Sequence, residues 1–155
     1  MLRHRTDLTK DIQTLMLTAD PNLEKVKAVF EAGKCYEWVE GKTLIGIAVV
    51  HERDTKAEIM NLSVASQFEG QGYARKILDT LTKIYADEGY HYLSIGTGNS
   101  SLRQLKIYQK NGFRIVAIQH DYFIRQGYAP IYEEGIQCRD MLVLEKELIS
   151  SSNIS

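Results

Sequence analysis

Two glycines between a predicted strand and a long amphipathic helix constrain the fold of this chain more than any other feature. Residues 57–64 (AEIMNLSV) predict a strand, and apolar side chains over residues 74–85 recur at the three- and four-residue spacing of a helix with one buried face. Gly70 and Gly72 lie at the junction, and Gly89 ends the helix. A strand that passes through a glycine loop into a helix N-terminus predicts an anion site, because the first-turn N–H groups are free and no Cβ blocks the approach.

The glycine pattern has a second interpretation, a tight strand-to-helix turn without a ligand, and an isolated Gly-x-Gly favours that interpretation. The stretch also differs from two familiar phosphate-binding motifs. No GK[ST] triplet occurs in the chain, and Arg75 stands where a dinucleotide-binding fingerprint has its third glycine. The loop alone therefore does not establish a ligand site, and evidence from other parts of the chain is needed.

The rest of the chain predicts alternating helices and strands in the order ααβββαβαββ. We expect a helix over residues 7–18, and a second that Asp20 caps, with Pro21 in its first position and its end at Gly33. The strands CYEWVE and TLIGIAVVHE come next, joined as a hairpin at Glu40-Gly41-Lys42. The strand over residues 57–64, the glycine loop and the amphipathic helix follow. The remaining segments are the strand HYLSIGT, the helix SLRQLKIYQKN, and the strands FRIVAIQHDYFI and CRDMLVLEKEL.

This order predicts an α/β fold with a mixed sheet, because a strand–helix–strand unit implies a parallel pair and a hairpin implies an antiparallel one. We expect one domain over residues 1–149 and a polar, flexible tail over residues 150–155. An exposed edge of such a sheet would allow a homodimer.

Composition excludes several classes of partner. The 155 residues carry a net charge of −1, which gives no electrostatic basis for binding nucleic acid or a membrane surface. The N-terminal residues MLRHRTDLTKDIQ lack the apolar core of a secretory signal, and no apolar run is long enough to span a bilayer. Cys35 and Cys138 have no metal-ligand spacing, so we expect a cytoplasmic protein without disulfides or a metal.

Two motifs together resemble one enzyme family. The stretch Gln67-Phe-Glu-Gly70-Gln-Gly72 resembles the [Q/R]-x-x-G-x-[G/A] signature of the GNAT family of acetyl-CoA-dependent N-acetyltransferases. The stretch IYQKNGF, residues 107–113, resembles the family's Y-x-K-x-G-F segment, and NLSV resembles its fourth strand. The resemblance covers roughly residues 57–118. It implies a GNAT-like fold with a partly splayed sheet, and transfer of an acetyl group from acetyl-CoA to an amine without a metal.

The resemblance also implies roles for particular residues. Gln67 and the main-chain amides of residues 69–75 would hold the coenzyme A pyrophosphate, and Leu62 and Val64 would pair with the pantetheine arm. Tyr108 would lie near the thioester sulfur and protonate the leaving thiolate, and the N–H of Leu62 or Val64 would stabilise the oxyanion. The expected cofactor-binding residues are Leu62, Val64, Gln67, Glu69, Gly70, Gln71, Gly72, Tyr73, Ala74, Arg75 and Tyr108.

Ser101 and Gln104 depart from the family pattern, which often has Asn and Ala at these positions. The departures leave open whether this helix also contacts the cofactor through a side chain. They keep a second hypothesis in place, a non-catalytic acyl-CoA-binding or interaction module. A nucleotide-phosphate binder is a third hypothesis, although the loop has no GK[ST] and no clear magnesium carboxylate near it.

The general base has several candidates. Glu58 is the hypothesis we carry forward, because it is the carboxylate on the strand that leads into the glycine loop. Strict alternation places Glu58 on the face opposite Ile59, Asn61 and Ser63. The alternatives are a water held by Asn61, the lone His120, Glu37 on the early hairpin, or a water chain without a dedicated base.

The long connection over residues 125–140 indicates a functional loop, because loops of this length are uncommon without one. Glu133 and Glu134 could attract a cationic amine, or they could simply be solvated. The resemblance implies that the first two helices cover the other side of the acceptor site. The sequence leaves the identity of the amine open.

Overall fold

The computed structural model describes residues 1–148, so the expected tail over residues 150–155 lies outside the described residues. In chain order, the elements are β1 (Leu2–Arg5), α1 (Lys10–Ala19), α2 (Leu23–Ala32), β2 (Lys34–Glu40), β3 (Thr43–Arg53), β4 (Lys56–Val64), a 3₁₀ turn (Ser66–Phe68), α3 (Tyr73–Asp87), β5 (Tyr92–Gly98), α4 (Leu102–Lys110), β6 (Arg114–Gln119), α5 (Tyr122–Arg125), β7 (Tyr132–Glu133), β8 (Ile136–Gln137) and β9 (Met141–Glu147).

Seven strands form one sheet in the order β1-β2-β3-β4-β5-β9-β6, and β7 and β8 form a separate hairpin. The β4–β5 pair is parallel and the other neighbours are antiparallel, which confirms the predicted mixed sheet. The last strand, β9, lies between β5 and β6, so β6 becomes an edge strand with all six residues exposed. Among residues 1–148, none of the helices has the length and apolarity required to cross a membrane.

The sheet splits between β4 and β5. These strands pair from Lys56 with Tyr92 as far as Ile59 with Ile95, and beyond that point, within residues 1–148, β4 pairs with β3 alone. The β3–β4 register shifts at the same place, where Met60 is the extra residue of a β-bulge. A bulge bends its strand, and here it accompanies the divergence of β4 from β5, which confirms the predicted splay.

Helices cover both faces of the sheet. Ile77, Leu78, Leu81 and Tyr85 of α3 are fully buried against one face, which confirms the predicted apolar face of this helix. On the other face, α1 and α2 pack on β3 through a second cluster, whose buried members are Ile12, Leu15, Met16, Val26, Cys35, Ile47 and Val49. The split between β4 and β5 therefore lies between two well-packed layers.

Two predicted boundaries were wrong and the first strand was missed, each for a local reason. The cap of α2 is Asn22, whose side chain accepts from the Lys25 N–H at 3.1 Å, whereas Asp20 ends α1. The predicted strand through residue 124 ends at Gln119, because Asp121 adopts a left-handed conformation with φ of 56° and a helical turn follows. β1 was missed, since four residues are too few to show alternation.

Candidate active site

The glycine loop presents free main-chain N–H groups at the start of α3. Gly70 and Gly72 have φ values of 76° and 83°, in the left-handed region that residues with a Cβ rarely adopt. A Cβ at either glycine would meet no atom within 4 Å among the described residues, so open space adjoins the loop. Gly72 is the N-cap of α3 and has no side chain to occupy the first-turn N–H groups. The loop is therefore built to receive an anion.

A cleft of about 600 Å³ connects this loop with α4 and the free edge of β4. Arg75 of α3 and three basic side chains at helical spacing on α4, Arg103, Lys106 and Lys110, line it. The other lining residues are Leu62, Val64, Phe68, Glu69, Gly70, Gly72, Tyr73, Ala74, Gln104, Ile107, Tyr108 and Asn111. Four positive side chains beside a helix N-terminus make this an electropositive cleft.

The main chain of β4 offers hydrogen-bond groups to the cleft. The Ala65 N–H donates to Ile45 of β3 at 2.8 Å, and alternate residues of a strand point their main-chain groups to opposite sides. Leu62 and Val64 therefore direct their N–H and C=O groups away from β3, into the split where β5 no longer pairs. An extended ligand arm can hydrogen-bond there as an added strand.

Tyr108 projects from α4 into the same cleft. Its side chain is 5% exposed, and its ring packs 6.2 Å from that of Phe113 between ring centres. Burial raises the pKa of the Tyr108 hydroxyl above its usual range, because the phenolate would lose hydration. The hydroxyl therefore stays protonated at neutral pH, as a proton donor must.

These observations agree with the comparisons to known proteins. A sequence model of the Acetyltransferase (GNAT) family matches residues 6–113. The chain belongs to the GNAT acetyltransferase family. A relative named "Uncharacterized N-acetyltransferase YvbK", from Bacillus subtilis strain 168, is 41% identical over 140 residues, covering 89% of this chain and 90% of its own.

Solved structures of similar acetyltransferases contain the cofactor. A Bacillus subtilis acetyltransferase in complex with CoA superposes with a TM-score of 0.90 at 36% identity, covering 96% of this chain and 98% of its own. A GNAT family acetyltransferase from Elizabethkingia anophelis with acetyl-CoA bound gives a TM-score of 0.90 at 36% identity, covering 96% and 97%. The expected family, the GNAT-like fold and the acetyltransferase class are thereby confirmed.

The acetyltransferase brings most of the expected cofactor-binding residues to the cleft. Gln67 and Gln71 lie on the loop but do not line the cleft, and the Gln71 side chain donates to the main-chain oxygen of Gln67 at 3.2 Å. The basic side chains of α4 were missed, although their spacing of three and four residues was visible. The nine expected residues that line the cleft are Leu62, Val64, Glu69, Gly70, Gly72, Tyr73, Ala74, Arg75 and Tyr108.

Glu58 lies on a different face from the one that strict alternation predicts. It pairs with His51 on β3, and Asn61 pairs with Val49, two residues before His51 on the same face. The bulge at Met60 therefore puts Glu58 and Asn61 on one face, the α1–α2 side, and the prediction that they oppose each other was wrong. Glu58 is half-exposed and adjoins Ile59, the last β4 residue that pairs with β5.

The Asn61 side chain is held in place. Its amide donates to the main-chain oxygen of Met16 at 3.1 Å, and its carbonyl accepts from the Ser63 hydroxyl at 2.8 Å. These bonds occupy part of the hydrogen-bonding capacity of the side chain, which a bound water would also need. Asn61 therefore fits a structural role that ties α1 to β4.

The remaining base candidates lie elsewhere. Glu37 is 4% exposed and forms ion pairs with Arg3 and Arg5, two strands from the split. His120 lies beyond β6 with its Nδ1 3.8 Å from Asp140, outside the cleft lining. Among residues 1–148, no three His, Cys, Asp or Glu side chains group as metal ligands would.

The two glutamates of the connection over residues 125–140 differ in their surroundings, since one is engaged and the other exposed. Glu133 accepts hydrogen bonds from the hydroxyls of Ser100 and Ser101 at 2.8 and 3.1 Å, at the N-terminus of α4. Glu134 lies exposed at the turn between β7 and β8. Ser101 therefore positions α4 through Glu133, which gives this departure from the family pattern a structural role.

Proposed function

We propose that this acetyltransferase transfers an acetyl group from acetyl-CoA to an amine by direct attack of the amine nitrogen. The observation that carries the proposal is a single cleft joining the free N–H groups of α3, the unpaired edge of β4 and the Tyr108 side chain. These are the three partners that a phosphate-bearing thioester with an extended arm requires.

The phosphate end of acetyl-CoA binds at the glycine loop in this proposal. The amides at the start of α3 and the helix dipole attract the pyrophosphate, and Arg75 adds positive charge. Arg103, Lys106 and Lys110 face the same space from α4 and can contact the pyrophosphate or the 3′-phosphate. Charge on both sides of the cleft supports a polyanionic ligand rather than a neutral one.

The arm of acetyl-CoA follows β4 toward the point where the strands part. The main-chain groups of Leu62 and Val64 pair with the amides of the arm, which directs the thioester toward the bulge at Met60. An N–H of β4 in this split donates to the carbonyl oxygen and stabilises the negative charge that develops there.

The reaction needs three proton transfers. The ammonium first gives a proton through a water to Glu58, which lies beside the end of the β4–β5 pairing on the α1–α2 face. The nitrogen then attacks the carbonyl carbon, and the C–S bond breaks as the sulfur receives a proton from Tyr108. The second proton of the nitrogen passes to the Tyr108 phenolate, which restores the hydroxyl. The products are an acetamide and free coenzyme A.

The test is release of free thiol from acetyl-CoA across a panel of primary amines, with acetylated product identified by mass spectrometry. Wild-type turnover that falls about 10²-fold in Tyr108→Phe supports the proposal. Tight coenzyme A binding with no transfer to any amine would instead identify a non-catalytic binding module. Binding of ATP in preference to coenzyme A would point to a nucleotide site.

A further inference from the structure

A contact between distant parts of the chain crosses the opening of the sheet on the α1–α2 face. Tyr128, between α5 and β7, donates its hydroxyl to the Asp20 carboxylate, whose oxygens lie 2.9 and 3.0 Å away. The Lys25 ammonium of α2 lies 3.4 Å from the main-chain oxygen of Gln126 and 4.1 Å from the centre of the Tyr128 ring. These contacts join the two halves of the molecule across the place where β4 and β5 have parted.

Asp20 borders the split itself. The main-chain oxygen of Met16 accepts from the Asn61 amide at 3.1 Å and from the Asp20 N–H at 3.2 Å. Because the Asn61 amide and the Asp20 N–H donate to the same oxygen, the two groups are neighbours. Asp20 therefore adjoins the segment of β4 that follows the bulge. In the proposed function, this is the side from which an acceptor approaches the thioester.

The surroundings of the carboxylate suit an alkylammonium group. Asp20 is half-buried, and its contacts with Asn22 and Tyr128 leave lone pairs of the carboxylate available. Phe123 lies 5.1 Å from Tyr122 and 5.5 Å from Tyr128 between ring centres, so three aromatic side chains form a cluster beside the carboxylate. Burial, and then the Asp20 charge, raise the pKa of the Tyr122 hydroxyl.

The chemistry limits which nitrogen can bind there. An ammonium paired with a carboxylate is stabilised in its charged form, and a charged nitrogen cannot attack a thioester. A carboxylate that pairs directly with an ammonium therefore assists the reaction only when that nitrogen does not react, whereas Glu58 acts through a water as a proton acceptor.

We propose that Asp20 binds a second, non-reacting ammonium group of the acceptor, so that the substrate class is short alkyl diamines and polyamines. This inference rests on the proposed function. The reacting nitrogen lies at the split, and it gives up its proton before attack as described above. The carbon chain packs against Tyr122, because the Lys25 ammonium already covers one face of Tyr128, and the distal charge remains at Asp20.

The experiment compares three acceptors of similar length that differ in distal charge: 1,5-diaminopentane, 5-aminopentanol and 5-aminopentanoate. We expect wild-type kcat/KM to favour the diamine over the amino alcohol by about tenfold, the scale of one charged contact, and over 5-aminopentanoate by more, because Asp20 repels a distal carboxylate. Asp20→Asn should reduce this preference to about twofold, with an unchanged KM for acetyl-CoA. Asp11→Asn, which removes an exposed carboxylate from the first turn of α1, the helix that Asp20 ends, should retain the full preference.

Tyr128→Phe separates recognition from a structural role. It removes the hydroxyl but leaves the Asp20 charge, so the diamine preference should persist. A purely structural role predicts instead that Asp20→Asn behaves as wild type, because the asparagine can still accept from Tyr128, and that outcome overturns the inference.

The two proposals fail in distinguishable ways. Wild-type turnover that shows no preference for the diamine, or turnover of other amines alone, overturns the substrate class but leaves acetyl transfer in place. Absence of thiol release with every amine overturns the proposed function and this inference with it.

Discussion

Arg103 and Glu69 join α4 to the glycine loop across the mouth of the cleft, with Nη1 3.0 Å from Oε2. Both side chains are about half exposed, so the pair contributes little to folding stability. The position of the pair does, however, affect the proposed phosphate site. Arg103 is one of the basic side chains that face the proposed phosphate site, and Glu69 competes with the phosphates for it.

This competition predicts opposite effects for the two members of the pair. Arg103→Ala should weaken coenzyme A binding by roughly threefold to tenfold, because a charged contact is lost. Glu69→Gln should leave binding unchanged or tighten it, because the guanidinium is released and a nearby negative charge is removed. Calorimetric titration at two salt concentrations measures both, and the Arg103 effect should shrink at high salt. Equal weakening by both variants would mean that the pair acts only as a structural tie.

Replacement of Tyr108 by phenylalanine should slow transfer while leaving cofactor binding nearly intact. We expect kcat to fall by roughly 10²-fold, and the KM for acetyl-CoA to change less than about threefold, since the ring still fills its buried position. Burial raises the pKa of Tyr108, so its ionisation cannot produce a fall in wild-type kcat at pH values below about 10. A basic limb in that range that disappears in Tyr108→Phe would contradict this assignment.

The sequence predicted features that depend on local pattern. The buried face of α3, the β2–β3 hairpin and the glycine loop all follow from spacing within a few residues, and each was found where expected. The approximate position of Tyr108 followed from the family resemblance. Local periodicity predicts helices and strands because each element buries its own apolar face.

Features that depend on pairing between distant residues could not be predicted. The bulge at Met60 leaves no signal in the amino-acid sequence of β4. It nevertheless puts Glu58 on the same face of the sheet as Asn61, where strict alternation would put them on opposite faces. The insertion of β9 between β5 and β6 depends on which strands meet in three dimensions. Arg103 was visible on a helix, but its orientation toward the cleft depends on how α4 packs.

A pH series tests the role of Glu58. An alkylamine has a pKa near 10, so little free base exists at pH 7, and a general base matters most there. We expect Glu58→Gln to lower kcat by roughly 10- to 100-fold at pH 7, and the deficit to shrink as the pH approaches 10. The control is Glu31→Gln, an exposed position on α2, which should follow the wild-type profile. A deficit that is the same at every pH would assign Glu58 to acceptor positioning instead of proton removal.

Glu133 should stabilise the N-terminus of α4, and with it the helix that carries Tyr108. Ser101 makes no side-chain cap of its own, and the Ser100 hydroxyl is nearly inaccessible, with the residue 1% exposed, so both hydroxyls depend on the Glu133 carboxylate. Removing the carboxylate takes away the acceptor that both hydroxyls share at this buried position, which costs about 1–3 kcal/mol, and it also removes a negative charge near a helix N-terminus.

Urea denaturation should therefore show Glu133→Ala destabilised by about 1–3 kcal/mol. Glu133→Gln should lose less, because its amide oxygen can still accept from one hydroxyl. The matched control is Glu134→Gln, at an exposed turn position, which should remain within about 0.5 kcal/mol of wild type. If Glu133→Ala and Glu134→Gln were equally stable, the hydroxyls of Ser100 and Ser101 would have another acceptor in solution, and the hairpin of β7 and β8 would not be what fixes α4.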